Sequence, residues 1–166
     1  MVELVFVIAI ALAFDVTNGF HDSANAIAAL VATRAARPGP AVAMCAVFNL
    51  LGPLLAGTAV ADTIGGVVAV PDAQVLTVTG AALTGALGWN LMTWWRGLPS
   101  SSSHALVGGL VGAAIVEGGA GAVNWGGVNH FHPYGVGGVL ISLAVSPVLG
   151  VAAGFLATLA ARRGVR

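Results

Sequence analysis

Long uncharged apolar segments, separated by short stretches that hold the charges, limit what this chain can fold into. Residues 41–61, 75–95 and 136–161 carry no charged side chain, and each is about as long as the roughly 20 residues that a helix needs to cross a bilayer. A soluble domain has about 25% charged residues, whereas this chain of 166 residues has 7%. Because so few polar groups cannot cover a surface in water, the sequence predicts an all-α integral membrane protein.

Two further segments complete the predicted set of spans. The N-terminal segment has Glu3 where a signal peptide would be positively charged, so we expect it to be the first membrane helix. The other follows Trp94-Trp95-Arg96, which has the composition of an interfacial anchor. A Gly- and Asn-rich loop comes after it, so a re-entrant hairpin near 99–135 stays an alternative there. We predict one transmembrane domain, residues 1–166, with about five crossings at 2–33, 41–61, 75–95, 99–118 and 136–161.

The charges outside the first helix alternate in sign from one predicted loop to the next. In chain order they are Glu3, Arg34 and Arg37, Asp62 and Asp72, Arg96, Glu117, and Arg162, Arg163 and Arg166. The positive-inside rule puts the arginines in the cytoplasm, which predicts a multi-pass plasma-membrane protein with its N-terminus outside and its C-terminus inside. This needs an odd number of crossings, and a unit of that kind followed by a second copy is an inverted repeat, as in many secondary transporters.

Only one such unit is evident in this sequence. We therefore expect the chain to be one half of an inverted-repeat secondary transporter. The second repeat would be a missing C-terminal half or another chain, and we expect a homo-oligomer.

A polar stretch, FDVTNGFHDSANA at residues 14–26, interrupts the first apolar segment. At about 100° per residue, Asp15, Asn18, Asp22 and Asn25 fall within an arc of roughly 80° and share one helix face, with His21 at its edge. A charged side chain inside the membrane costs about 2.5–3.5 kcal/mol on insertion scales. We therefore expect a cation or substrate site at mid-membrane, and a polar seam that only joins helices is the alternative.

A second polar stretch, LPSSSSH at residues 98–104, precedes a Gly-rich apolar run. Proline in the first turn and serine at the cap both favour a helix that starts here. The start of this helix would form a pocket for an oxyanion, because it combines free N–H groups, the positive end of the helix dipole and the serine hydroxyls. A capped helix at the interface is the alternative. Asn49 lies in mid-span and could complete a cation site, whereas Asn90 lies nearer the cytoplasmic end and is the weaker candidate for one.

Composition and spacing disfavour several other classes of protein. The net charge is zero and there is no lysine, so no basic patch for nucleic acid is expected. His130 and His132 have the spacing of a metal-ligand pair but no Cys or carboxylate beside them, so we expect neither a metal site nor a cofactor. A membrane hydrolase that uses a Ser/His pair is disfavoured because adjacent helical residues point apart. We do not expect an enzyme, and a channel or a non-transporting interaction module is an alternative.

Three stretches resemble the inorganic phosphate transporter (PiT) family. They are NGFHDSANA (18–26), VFNLLGPLLAGTAVADTIGG (47–66) and WNLMTWWRGLPSSSSHALVGGLVGAA (89–114). The first resembles the family's Asn-Asp-Ala-Asn-type signature, and the third resembles its serine-rich hairpin before a Gly-rich helix. Proteins of this family carry two such repeats in inverted orientation, and this chain matches the first.

The resemblance implies symport of inorganic phosphate with a sodium ion or a proton, or of a neutral metal–phosphate complex. By position it implies site roles for Asp22 and Asn25, and Asn49 stands where some relatives have a glutamate. A sulfate-transporting branch is similar too, so a sulfate or other oxyanion permease is an alternative, as is a half-transporter that transports nothing. From helix geometry and resemblance together, we expect phosphate at Ser101, Ser102, Ser103, Asn25 and His104, and the cation at Asp22, Asn49, Asn18 and Asp15.

Overall fold

The computed structural model describes residues 1–57, 59–129 and 132–164, in which helices predominate. The elements in chain order are α1 (Val2–Ala32), α2 (Pro38–Ala56), α3 (Ala59–Gly65), α4 (Asp72–Trp95), α5 (Ser102–Gly118), a 3-10 turn (Ala120–Ala122), β1 (Gly127–Asn129), β2 (His132–Tyr134) and α6 (Gly135–Gly164). His130 and Arg166 lie outside the described residues. The prediction of an all-α membrane protein is confirmed, apart from the small antiparallel hairpin β1–β2.

Four helices in the described part of the chain are long and apolar enough to cross a membrane, namely α1, α2, α4 and α6. The fifth predicted span corresponds to α5, which has 17 residues. At 1.5 Å per residue α5 is about 25 Å long, slightly shorter than the roughly 30 Å hydrocarbon core of a bilayer. It packs along α4, and its buried face meets the start of α6 at Leu110.

The segment predicted as one span over 41–61 is divided in the structure. Helix α2 ends at Ala56, and Gly57 follows with φ 70°. This backbone conformation is accessible to glycine but rare for other residues. Helix α3 then forms a separate element of 7 residues. The hydropathy of the segment showed its length but not this break, because Gly57 is compatible with either state.

Helices α1 and α4 run parallel along most of their length. The Thr77 hydroxyl donates to Glu3 Oε1 at 3.0 Å. Farther along, Asn90 Nδ2 lies 3.5 Å from Thr17 Oγ1. The rings of Phe20 and Trp94 are packed edge to face, with their centroids 5.4 Å apart. Residue numbers rise together on the two helices, so both cross in the same direction.

Helix α5 runs antiparallel to α4, and α6 runs antiparallel to α5. On α5, Gly109 lies against Ala82 of α4, and Ala114 packs with Val78 of α4. A later residue of α5 therefore meets an earlier residue of α4, as in antiparallel helices. Val136 packs near Ala114 at the start of α6, and two turns later Leu143 lines a cavity with Ser103 and Val107 near the start of α5. Helices α1, α4 and α6 therefore share one direction.

This arrangement places the described arginines at one end of the bundle. Arg34 and Arg37 follow α1, Arg96 caps α4, and Arg162 and Arg163 lie in the last turn of α6. The opposite end is closed by the loop before α4, which pairs with the segment after α5. There Ala69 donates its N–H to Ala122 O at 2.8 Å, and Asn124 donates to Val67 O at 2.9 Å.

The outward faces of α2 and α6 are strongly apolar. Leu54 and Leu55 on α2 are 72% and 84% exposed, and Val151 and Phe155 on α6 are 75% and 63% exposed. Apolar side chains exposed at this density are typical of surfaces that face lipid or another membrane segment.

We expect Gly109→Ala to destabilise the protein, because the new methyl group would lie 2.6 Å from the carbonyl oxygen of Ala82. Overpacking of this kind costs about 1–3 kcal/mol. Gly108→Ala is the matched control, since it has no neighbouring atom within 4 Å and alanine favours the helix by about 1 kcal/mol. Thermal unfolding in detergent should give a lower Tm for the first variant and an unchanged or higher Tm for the second. Equal Tm values would contradict the close packing of α4 on α5.

Candidate functional site

The side chain of Ser102 connects the two polar stretches of the sequence. Ser102 is the first residue of α5 and is fully buried. Its hydroxyl lies within hydrogen-bond distance of Asn18 Oδ1 and at 2.5 Å from Asp22 Oδ2, both on α1. The hydroxyl has one proton, so it can donate to only one of these oxygens at a time. We call Asn18, Asp22 and Ser102 the α1–α5 cluster.

The local sequence explains why Ser102 reaches α1. Ser101 is the N-cap of α5, and its hydroxyl accepts from the backbone N–H of His104 at 3.4 Å. Serine at this position stabilises a helix start because it satisfies an amide that has no partner inside the helix. On α1, Asn18 and Asp22 are four residues apart and share a face, so a single hydroxyl on α5 can contact both.

The α1–α5 cluster has the chemistry of a site for a hard cation. An amide oxygen, a carboxylate and a hydroxyl oxygen converge there, and hard cations prefer such oxygen ligands. The Asp22 side chain remains 40% exposed, so its carboxylate is accessible to a ligand. The positive end of the α5 dipole lies beside it and stabilises negative charge.

A second polar group lies between α1 and α4, beside this cluster. It consists of Thr17 and His21 on α1 and Asn90 and Thr93 on α4, all four of them buried. The Thr93 hydroxyl lies 3.4 Å from His21 Nε2. Asn90 Oδ1 and His21 Nδ1 have no hydrogen-bond partner among the described residues, which is costly for buried polar atoms.

Sequence reasoning found this second group only in part. It placed His21 at the edge of the polar face and treated Asn90 as a weak candidate, and it gave no role to Thr93. The available signal was the spacing, because residues three or four apart on a helix lie on the same side. That signal could not show that the two helices face each other there.

The other predicted cation residues, Asp15 and Asn49, form no hydrogen bond with the α1–α5 cluster among the described residues. Asp15 is exposed and has no hydrogen-bond or ion-pair partner among the described residues. Asn49 is exposed on α2, where its Nδ2 lies 3.5 Å from Cys45 Sγ on the preceding turn. In this conformation neither side chain contacts Asp22.

The residues predicted to bind phosphate point in several directions. Ser103 is exposed and lines a cavity of about 220 Å³ with Thr63 of α3 and Ser142 of α6. Asn25 lines a different cavity of about 260 Å³ beside His21 and Trp94. His104 is exposed. Consecutive helical residues differ by about 100° in direction, so the serines of this turn do not form a single pocket.

The α1–α5 cluster lies past the middle of α1, on the side of the arginine end of the bundle. Asp22 lies beside His21, which contacts Thr93 in the last turn of α4. Helix α1 continues for ten residues beyond Asp22, or about 15 Å. The α1–α5 cluster therefore lies between the middle of α1, roughly 8 Å away, and the arginine end of that helix, at the level of the last turn of α4.

The comparisons with known proteins agree on one family. The model of the phosphate transporter family matches residues 18–166. The chain is 49% identical over 154 residues to a probable low-affinity inorganic phosphate transporter of Streptomyces halstedii, which covers 92% of this chain and 68% of that protein. It is 44% identical to a protein of the same description from Mycobacterium leprae, over 93% of this chain and 36% of that protein.

A third similar protein is the low-affinity inorganic phosphate transporter PitA of Escherichia coli, 39% identical over 89% of this chain and 30% of that protein. The chain thus spans about a third of the length of the last two relatives. No solved structure matches. The family match includes all three residues of the α1–α5 cluster and reaches the end of the chain, and from this we conclude that the chain belongs to the phosphate transporter family.

Proposed function

We propose that this chain forms one half of a transporter that carries inorganic phosphate across the plasma membrane together with a sodium ion or a proton. The observation that carries the proposal is the contact of Ser102 with Asn18 and Asp22. It joins a donor-rich helix start to a carboxylate inside a membrane bundle. The similar proteins described above are named inorganic phosphate transporters, which supports phosphate as the anion.

The need for a cation follows from the charge of Asp22. Two like charges about 4 Å apart repel each other by about 4 kcal/mol at an effective dielectric constant of 20, so a carboxylate beside phosphate is unfavourable. A cation bound to Asp22 and Asn18 would remove this repulsion and turn it into attraction. Phosphate affinity would then depend on cation binding, and the reverse dependence must hold equally.

Ser102 offers a direct route for this coupling. In the unliganded protein its single hydroxyl proton is used by the oxygens of Asn18 or Asp22. A cation on those oxygens would repel that proton, so the hydroxyl would turn away and become a donor for phosphate. Ser101, Ser103, Asn25 and His104 are further candidates for phosphate contacts, whereas we assign Asp15 and Asn49 no role in this conformation.

The orientation is proposed from the arginines at the shared end of α1, α4 and α6. The positive-inside rule would place that end in the cytoplasm and the N-terminus outside. The exposed apolar faces of α2 and α6 would then be available to a second repeat or to another copy of the chain. The greater length of the similar transporters from M. leprae and E. coli supports a second repeat.

The direct test is uptake of radiolabelled phosphate into proteoliposomes that contain the purified protein. Uptake should require an inward gradient of sodium ions or protons and should stop when an ionophore collapses that gradient. Unlabelled phosphate in excess should compete more strongly than sulfate. Gradient-independent uptake, or stronger competition by sulfate, would contradict the proposed symport of phosphate.

We expect Asp22→Asn to reduce cation-coupled uptake by about tenfold or more, because hydrogen bonds and contacts to a charged group are worth about 1.5–3 kcal/mol. The amide keeps the size of the side chain and removes only its charge. Asp72→Asn, in the first turn of α4, is the same chemical change outside the cluster and should keep uptake near the unmodified level. Equal uptake by the two variants would rule out Asp22 as the cation ligand.

Ser102→Ala should remove the dependence of phosphate affinity on the cation, because it removes the hydroxyl that both ligands share. Ser103→Ala is the matched comparison on the other side of α5 and should keep that dependence, even if phosphate binds more weakly. The measurement is equilibrium binding of labelled phosphate over a series of cation concentrations. A Ser102→Ala protein whose phosphate affinity still rises with the cation would exclude the proposed coupling route.

A further inference from the structure

The imidazole of His21 lies between helix α4 and the carboxylate of the α1–α5 cluster. Its side chain is only 6% exposed. Nε2 lies 3.4 Å from the Thr93 hydroxyl, and Nδ1 lies 3.6 Å from Asp22 Oδ1. Asp22 contacts Ser102 through its other oxygen, so one carboxylate oxygen lies beside His21 of the same helix and the other beside α5.

The position of the proton on a neutral imidazole decides what His21 does to Asp22. One ring nitrogen then carries a proton and the other is an acceptor. If the proton is on Nε2, it is donated to Thr93, and the Nδ1 lone pair faces a carboxylate oxygen. Nδ1 is then a buried acceptor without a donor, and it also repels the negative charge of Asp22.

If the proton is on Nδ1, both ring nitrogens have suitable neighbours. Nδ1–H lies 3.6 Å from Asp22 Oδ1, and Nε2 accepts from the Thr93 hydroxyl. That hydroxyl also lies within donating distance of Trp89 O at 2.9 Å and Asn90 O at 3.1 Å. Its single proton can turn from them to Nε2, because both are helix carbonyls that already accept from a backbone N–H. Only this tautomer places an N–H rather than a lone pair beside the Asp22 carboxylate, which replaces electrostatic repulsion by attraction at a buried atom.

We propose that His21 is a positioning residue for Asp22, in the Nδ1–H tautomer with Nε2 accepting from Thr93. At 3.6 Å the Nδ1–H···Oδ1 interaction is longer than an ordinary hydrogen bond, so it acts mainly by electrostatic attraction. Together with Ser102 on the other oxygen, it sets the orientation of the carboxylate between α4 and α5. The exposed part of Asp22 is then presented to the cation in a fixed geometry.

Only the functional consequence of this proposal rests on the proposed function, because the tautomer is a property of the unliganded protein. The tautomer can be measured by nitrogen NMR of protein labelled with ¹⁵N-histidine in lipid nanodiscs, at a pH where the ring is neutral. The His21→Asn spectrum identifies the signals of His21 by their loss. We expect a protonated Nδ1 and an unprotonated Nε2. A protonated Nε2 would overturn the proposal.

Two substitutions separate a positioning role from a packing role. The amide nitrogen of asparagine lies as many bonds from the backbone as Nδ1, and that of glutamine as many as Nε2. His21→Asn should therefore keep a donor beside Asp22, whereas His21→Gln should lose it. We expect His21→Gln to raise the half-saturating cation concentration about tenfold with a smaller change in maximal rate, and His21→Asn to stay close to the unmodified protein.

Equal loss in the two variants, or better retention in His21→Gln, would overturn the positioning role. If the unmodified protein took up no phosphate, the proposed function would fail, while the NMR result would still decide the tautomer. Binding of the cation alone to the purified variants would then replace uptake as the second measurement.

Discussion

The contact of the buried Ser102 hydroxyl with Asn18 and Asp22 joins the start of α5 to α1, and the candidate site depends on it. A polar side chain inside a membrane needs a partner, and Asn18 and Asp22 need one equally. The contact can form only because α5 begins at the level of Asp22 and because Gly109 lets α5 approach α4 closely. The position at which α5 starts and its close packing on α4 therefore both determine whether Ser102 reaches Asp22.

The parallel course of α1, α4 and α6 gives the charge pattern a structural meaning. Arginines separated by many residues in the sequence lie at one end of the bundle because these helices share a direction. The α1–α5 cluster and the group around His21 lie toward that same end, close to the last turn of α4. A ligand in the cluster would thus be nearer the arginine end than the hairpin end.

Much of the helical framework could be predicted because apolar length and charge position reflect the thickness of the bilayer. The polar face of α1 and the start of α5 were also predictable, since both follow from local helix geometry and capping. The break at Gly57 was not, because glycine is compatible with a helix or a turn. Asn49 was expected to join Asp22 because of its mid-span position and the family resemblance, yet the hydrogen bond of its exposed amide goes to Cys45.

The sequence by itself determined that this is a helical membrane protein, which residues place polar groups within its helices, and which family it resembles. Tertiary structure alone decided that Ser102, rather than Ser101 or Ser103, meets Asp22, and that His21 lies against Thr93. The physical reason is that each helix distributes consecutive side chains about 100° apart. Which of them meets a neighbour depends on the rotation and depth at which the helices pack, and packing is a property of contacts distant in the chain.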